Sequence, residues 1–235
     1  MLTQVPGPKI LSDACHEFSA RIDLCAFDPL RTPREFGVEL PPELSSAVPK
    51  RLAEFVAGRF AAMQALKAAG CTDHSALAIG PDRSPQWPTG YIGSITHTGC
   101  YVSAVAAVTT RIRAVGRDTE MPLDEQTALE IQERTLRPEE ILLLPNMMTS
   151  STLSLAQVTG LIFSAKESLF KALGPLAGNY FDFLDARVIG IADGRIHLRL
   201  ETDLGNGFST GFEIEGRFEL GDRIHTAVEL SATGI

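Results

Sequence analysis

Two short acidic segments carry the residues best suited to chemistry: Gly116-Arg117-Asp118-Thr119-Glu120 and Lys166-Glu167-Ser168-Leu169-Phe170-Lys171. The first ends a β-like run that begins at Ala114-Val115, and in a strand alternate side chains share a face. Asp118 and Glu120 can therefore reach one point. The second lies late in a helical stretch, where Glu167 and Lys171 stand one turn apart. Three carboxylates arriving from a strand and a helix suit a hard divalent cation such as Mg2+, which takes oxygen ligands and leaves room for substrate phosphate. Lysines beside those ligands point to phosphate as the rest of the shell.

The elements that must hold these groups follow from composition and periodicity. A chain of 235 residues with 44% hydrophobic content can bury a substantial core. A net charge of -8 argues against a general nucleic-acid binder, so an anionic ligand must be held by local Arg and Lys clusters. Cys15, Cys25, Cys71 and Cys100 are scattered, without zinc spacing, and read as buried free thiols of a reducing compartment. No segment reads as a signal peptide, and no run approaches the roughly 20 apolar residues of a membrane span. The expectation is a cytoplasmic protein.

The first 45 residues are Pro-rich and read as irregular. From Pro49 to Ala69 the pattern is helical, with Leu52, Phe55, Val56, Met63 and Leu66 on one side and Gly70 as the stop. Strands are expected at Tyr91 to Ile95, Tyr101 to Val108 and Ile112 to Asp118, with Thr96-His97-Thr98-Gly99 as a turn. In the second half, helices are expected from Asp124 to Arg134, after Pro138, and from Leu155 to Leu173 behind the N-cap Ser154. Strands follow at Ala186 to Ile191 and Arg195 to Glu201 around the Asp193-Gly194 hairpin signal, then at Phe212 to Leu220 and Arg223 to Leu230. The fold expected is α+β, with two similar lobes over residues 1–110 and 111–235. Each is a long helix packed on an antiparallel sheet, and the active site lies between them.

Four blocks in order then carry a resemblance. They are Arg51-Leu52-Ala53-Glu54-Phe55-Val56-Ala57-Gly58-Arg59; Trp87-Pro88-Thr89-Gly90-Tyr91-Ile92-Gly93-Ser94-Ile95-Thr96-His97-Thr98; Gly116-Arg117-Asp118-Thr119-Glu120; and Phe163-Ser164-Ala165-Lys166-Glu167-Ser168-Leu169-Phe170-Lys171. Over residues 49 to 173 the chain resembles the Sfp-type 4'-phosphopantetheinyl transferases, of the enterobactin-synthase-associated type. It departs from them where Arg117 replaces an aliphatic residue and Phe163 a frequent Trp, and neither change removes a chemical group.

The resemblance implies transfer of the phosphopantetheine arm of coenzyme A to a serine of an apo acyl or peptidyl carrier protein, with release of 3',5'-ADP. Siderophore or polyketide biosynthesis is the implied setting, and the chain is taken to act as a monomer. Asp118, Glu120 and Glu167 are the implied ligands of Mg2+, with Mn2+ as the alternative ion. Glu167 is also the implied base for the serine, directly or through water. Lys171 matches a phosphate-contacting lysine, with Lys166 as a second. Arg51 and Arg59, two helical turns apart, match the grip on the 3'-phosphate, and Arg83, Thr96 and His97 match further coenzyme A phosphate contacts. Lys50, Glu130, Glu133, Glu139 and Glu140 read as solvated charges, and His16, His74, His197 and His225 as structural. Ile141 to Leu144 with Met147-Met148 form a candidate carrier-docking patch, against which stands an ordinary core role. Two other functions fit the acidic residues: a Mg2+-dependent phosphodiesterase or nuclease, and a non-catalytic module that binds coenzyme A or carrier.

Overall fold

The structure, a computed structural model, describes residues 1–232 other than 45, 74, 76, 81–83 and 152. Arg83 and His74 thus lie outside the described residues. The N-terminal segment is not irregular. Its prolines flank two strands, β1 (Leu2–Val5) and β2 (His16–Ile22), and in β2 Phe18, Ala20 and Ile22 alternate onto one apolar face. A short helix α1 (Thr32–Glu35) leads to the long helix α2 (Pro49–Ala68), which has proline in its first turn. Strands β3 (Tyr91–Thr98) and β4 (Tyr101–Val108) complete an antiparallel sheet in the order β1-β2-β4-β3. Helix α2 packs on β2, β3 and β4 through small residues, Ala57, Ala61, Ala62 and Ala65. A Cβ on Gly58 would stand 3.1 Å from Ile95, so that contact also depends on a small residue.

Strand β3 runs three residues past its expected end. The turn falls on Gly99, whose φ of 54° suits glycine, and so Thr96 and His97 belong to the strand. His97 pairs opposite Val102 on the face toward α2, while Thr96 pairs opposite Ser103 on the other face.

Strand β5 (Ile112–Glu120) opens the remainder, followed by α3 (Glu125–Thr135), α4 (Pro138–Ser151) and α5 (Leu155–Leu173). Asp124 caps α3, and Ser154 with Gln157 forms a reciprocal cap on α5. Strands β6 (Ala186–Ala192), β7 (Arg195–Leu200), β8 (Glu213–Leu220) and β9 (Ile224–Ser231) pair antiparallel in succession, and the sheet order is β5-β9-β8-β7-β6. Asp193 and Gly194 both have positive φ, as a tight hairpin requires. Val158, Leu161, Ile162, Leu169 and Leu173 of α5 share a core with Val188, Ile196, Leu198 and Val228 of this sheet. The fold is α+β, and its two compact units are Met1–Arg113 with the residues from Ser231 onward, and Ala114–Leu230.

The apolar run on α4 is mostly core. Leu144 and Met147 are buried, Leu143 and Met148 pack against the same cluster, and only Ile141 and Leu142 are exposed. The cysteines differ from expectation in burial: all four are free, but Cys71 alone is buried, while Cys25 and Cys100 are exposed.

Strand β5 approaches α5 most closely at Gly116. A Cβ there would lie 1.9 Å from the Ser168 carbonyl oxygen and 2.6 Å from the Ala172 nitrogen, both backbone atoms that cannot rotate away. Gly116→Ala should therefore cost about 3 kcal/mol in a denaturant melt, at the upper end of overpacking effects. A change below about 0.5 kcal/mol would mean that strand and helix do not meet this closely.

Candidate active site

Alternation along β5 sends Asp118 and Glu120 toward α5, with Gly116 between strand and helix. On α5, Glu167 and Lys171 occupy successive turns. Asp118 is 3% exposed. Its Oδ1 accepts from Lys171 Nζ at 2.6 Å and its Oδ2 from Ser164 Oγ at 2.8 Å. Glu120 is pushed up to about 7, first by burial, then by the Asp118 charge and, more weakly, by Glu167, with Lys171 opposing. Glu167 is also raised, by burial and then by Asp118, again against Lys171. Asp118, Glu120, Glu167 and Lys171 thus lie within electrostatic reach of one another.

Among the described residues, no three His, Cys, Asp or Glu side chains are gathered closely enough to hold an ion as they stand. The donor set still fits a hard divalent cation. It consists of carboxylate oxygens only, two of the three are electrostatically strained, and the one full cation among them is the Lys171 ammonium on Asp118.

Lys166 does not belong with these groups. Its ammonium is buried and donates to Glu140 Oε2 at 2.6 Å, to the Thr135 carbonyl at 2.7 Å and to the Phe183 carbonyl at 3.0 Å. Three acceptors use all three of its protons, so it has none for a phosphate. Its partner Glu140 is fully buried rather than solvated, and also accepts from the backbone N–H groups of Arg137 and Val188. Burial lowers the Lys166 pKa and Glu140 works against that shift. Glu130, Glu133 and Glu139 are exposed as expected. The two departures from the family pattern sit in the packing. Arg117 is fully buried on the face of β5 opposite Asp118, and Phe163 lies 5.5 Å from the Phe183 ring.

A cavity of about 230 Å3 opens beside Glu167, walled by Leu169, Phe170, Tyr180, Phe181 and Phe183. The Phe170 and Phe181 rings stand 5.2 Å apart. Sequence reasoning missed these walls, although Tyr180-Phe181-Asp182-Phe183 is an aromatic cluster directly after the α5 stop. His225, expected to be structural, is buried with its Nδ1 3.0 Å from Thr119 Oγ1. Burial, then Arg117 and Arg223, lowers that imidazole to about 4.

In the first unit, the α2 face and β3 form a cationic group. Arg51 Nη1 lies 3.4 Å from His97 Nε2, and Glu54 approaches both at 4.0 Å. Arg59 is 7% exposed, its guanidinium lies 4.8 Å over the Phe55 ring, and its buried Nε has no hydrogen-bond partner among the described residues. Burial, then the Arg51 charge, lowers it to about 10. A buried guanidinium donor left over beside a second arginine and a histidine is the chemistry of an anion site. Thr96, buried on the opposite face, is not brought to it.

The raised Glu120 pKa fixes the sign of a pH effect. In cation-free protein the folded state holds a proton that the unfolded chain has lost between the ordinary 4.5 and about 7, so this residue's contribution to stability falls as pH rises through that window. Glu120→Gln removes the effect. The variant should gain on the wild type by about 1 kcal/mol between pH 4.5 and 8, after discounting for solvent access. A stability difference that stays constant with pH, or shrinks, would contradict the electrostatic account.

Comparison with known proteins gives the family. Residues 40–107 match the 4'-phosphopantetheinyl transferase N-terminal domain, and residues 114–227 match the 4'-phosphopantetheinyl transferase superfamily. The chain is similar to enterobactin synthase component D of Salmonella typhi, 38% identical over 129 residues, covering 55% of this chain and 51% of that protein. It thus spans about half the length of the enterobactin synthase relative it matches. It is 33% identical over 165 residues to 4'-phosphopantetheinyl transferase Npt of Nocardia iowensis, covering 70% of this chain and 68% of that one. To 4'-phosphopantetheinyl transferase PptT of Mycobacterium tuberculosis it is 32% identical over 177 residues, covering 75% and 67%. With both family domains matched in order along one chain, this protein belongs to the 4'-phosphopantetheinyl transferase superfamily.

Proposed function

We propose that this chain transfers the 4'-phosphopantetheine arm of coenzyme A to a serine of an apo acyl or peptidyl carrier protein, giving holo carrier and 3',5'-ADP. The observation that carries this is the trio Asp118, Glu120 and Glu167, charged against one another with Lys171 among them. Arg51, Arg59 and His97 bind coenzyme A phosphates, the two arginines taking the 3'-phosphate, and Arg83 adds a further contact. The aromatic cavity beside Glu167 takes the pantetheine arm, whose gem-dimethyl and methylene groups suit its apolar walls. Glu167 accepts the carrier serine proton, directly or through water, and its raised pKa makes it a stronger base than an ordinary carboxylate.

The serine Oγ then bonds to the phosphorus that bears the pantetheine arm. The bond from that phosphorus to the bridging oxygen breaks, and its electron pair leaves with 3',5'-ADP. Lys171 leaves Asp118 for the pyrophosphate and stabilises that departing charge. Asp118, Glu120 and Glu167 would hold Mg2+ or Mn2+, which supplies charge neutralisation of the pyrophosphate when bound.

We assign the reaction to the cytoplasm and to a single chain, in siderophore or polyketide biosynthesis. The four free cysteines fit a reducing compartment. Among the described residues no helix is long and apolar enough to cross a membrane.

The test is intact mass. Incubation with an apo carrier domain, coenzyme A and Mg2+ should add one phosphopantetheine to the carrier, and EDTA should abolish the gain. Hydrolysis of coenzyme A without carrier would favour a phosphodiesterase, and no reaction at all a binding module. Arg59→Ala should raise the KM for coenzyme A about ten- to a hundredfold, the worth of a charge-assisted phosphate contact. It should leave the KM for 3'-dephospho-coenzyme A nearly unchanged. Equal effects on both substrates would move the 3'-phosphate elsewhere.

A further inference from the structure

Behind Asp118 lies a set of buried hydroxyls that the reaction scheme does not use. Ser164 and Ser168 of α5 are fully buried, and Thr226 of β9 is 1% exposed. Ser164 Oγ lies 2.8 Å from Asp118 Oδ2 and 2.9 Å from Thr226 Oγ1. Ser168 Oγ lies 2.7 Å from Thr226 Oγ1 and 3.1 Å from the Thr226 carbonyl. Thr226 Oγ1 also lies 2.8 Å from the Ser164 carbonyl.

Proton counting gives this set a direction. A carboxylate only accepts, so the single Ser164 hydroxyl proton goes to Asp118. Ser164 Oγ can then only accept from Thr226. The Thr226 proton has three acceptors within reach, the Ser164 hydroxyl, the Ser164 carbonyl and the Ser168 hydroxyl. Ser168 in turn has Thr226 oxygens for its acceptors. When Thr226 donates to the Ser164 hydroxyl, all three protons run one way, from Ser168 through Thr226 and Ser164 to Asp118. At this burial no bulk water competes to reverse them, and each link polarises the next.

We propose that Ser164 and Thr226 are positioning residues for the cation site. They pin Oδ2 of Asp118 and leave Oδ1, the oxygen now against Lys171, as the one offered to a metal. The same two turns of α5 that carry Glu167 and Lys171 thereby also fix the orientation of a ligand on β5. The inference rests on the divalent cation proposed above and adds to it the residues that aim one of its ligands.

The test reads metal binding on the full chain, by electron paramagnetic resonance of free Mn2+, with melting temperature in parallel. Ser164→Ala should weaken Mn2+ binding about tenfold, as loss of a ligand-orienting hydrogen bond does. Thr226→Val, nearly isosteric, should weaken it about threefold, because it removes one polarising link. Thr226→Ser keeps the hydroxyl and should bind as the wild type. In turnover, the Mg2+ concentration for half-maximal rate should rise in the same order, with the KM for coenzyme A unchanged. The proposal is overturned if Ser164→Ala binds Mn2+ like the wild type, if the Val and Ser variants at 226 bind alike, or if Ser164→Ala and Thr226→Val both fail to fold. Wild-type protein that binds no Mn2+ would instead remove the cation site itself, and the proposal with it.

Discussion

The contact between the Lys171 ammonium and the Asp118 carboxylate, 2.6 Å apart with Asp118 almost wholly buried, sets the terms for the second unit. A carboxylate withdrawn from water needs a compensating charge or several donors. Asp118 has one of each, Lys171 on one oxygen and Ser164 on the other. Glu120 and Glu167 lie within electrostatic reach of it, and both are raised. One ammonium against three carboxylates leaves the cluster short of positive charge. That shortage is the argument for the divalent cation proposed for this site.

Much of the second unit serves to keep this cluster together. Gly116 allows β5 onto the backbone of α5, where any side chain would force them apart. The reciprocal Ser154–Gln157 cap fixes where α5 begins and so which residues face the strand. One residue before Glu167, the Lys166 ammonium joins α5 to Glu140 of α4, to the end of α3 and to the segment before β6. Neighbouring lysines on one helix therefore have opposite duties. Lys166 is spent on architecture, while Lys171, partly exposed and hydrogen-bonded to Asp118, is the lysine we propose for phosphate.

What the sequence made legible was mostly local. Asp118 with Glu120, and Glu167 with Lys171, follow from strand and helix periods. The long helices α2 and α5 follow from apolar spacing and caps. The misses have physical causes. Prolines around β1 and β2 masked two short strands whose pairing is with distant segments. Gly99 rather than Thr96 sets the turn, and that shift sends Thr96 to the face opposite His97. Glu140 stands beside the exposed Glu139 in the first turn of α4, and nothing local distinguishes the one carboxylate that finds a buried ammonium. Tertiary pairing decides each of these. Met147 is no miss, since an ordinary core role was one of the two readings of its apolar run and is the one α4 adopts.

The central claim is that a cation takes the place now held by the Lys171 ammonium at Asp118. Mn2+ affinity of Lys171→Met, measured in the absence of coenzyme A, tests it most directly. If ammonium and metal compete for Asp118 Oδ1, the variant has lost the competitor and gained a strained carboxylate cluster, and it should bind Mn2+ more tightly than the wild type. If affinity is unchanged or weaker in a variant that remains folded, Lys171 supports the site rather than occupying it, and the exchange described here does not take place.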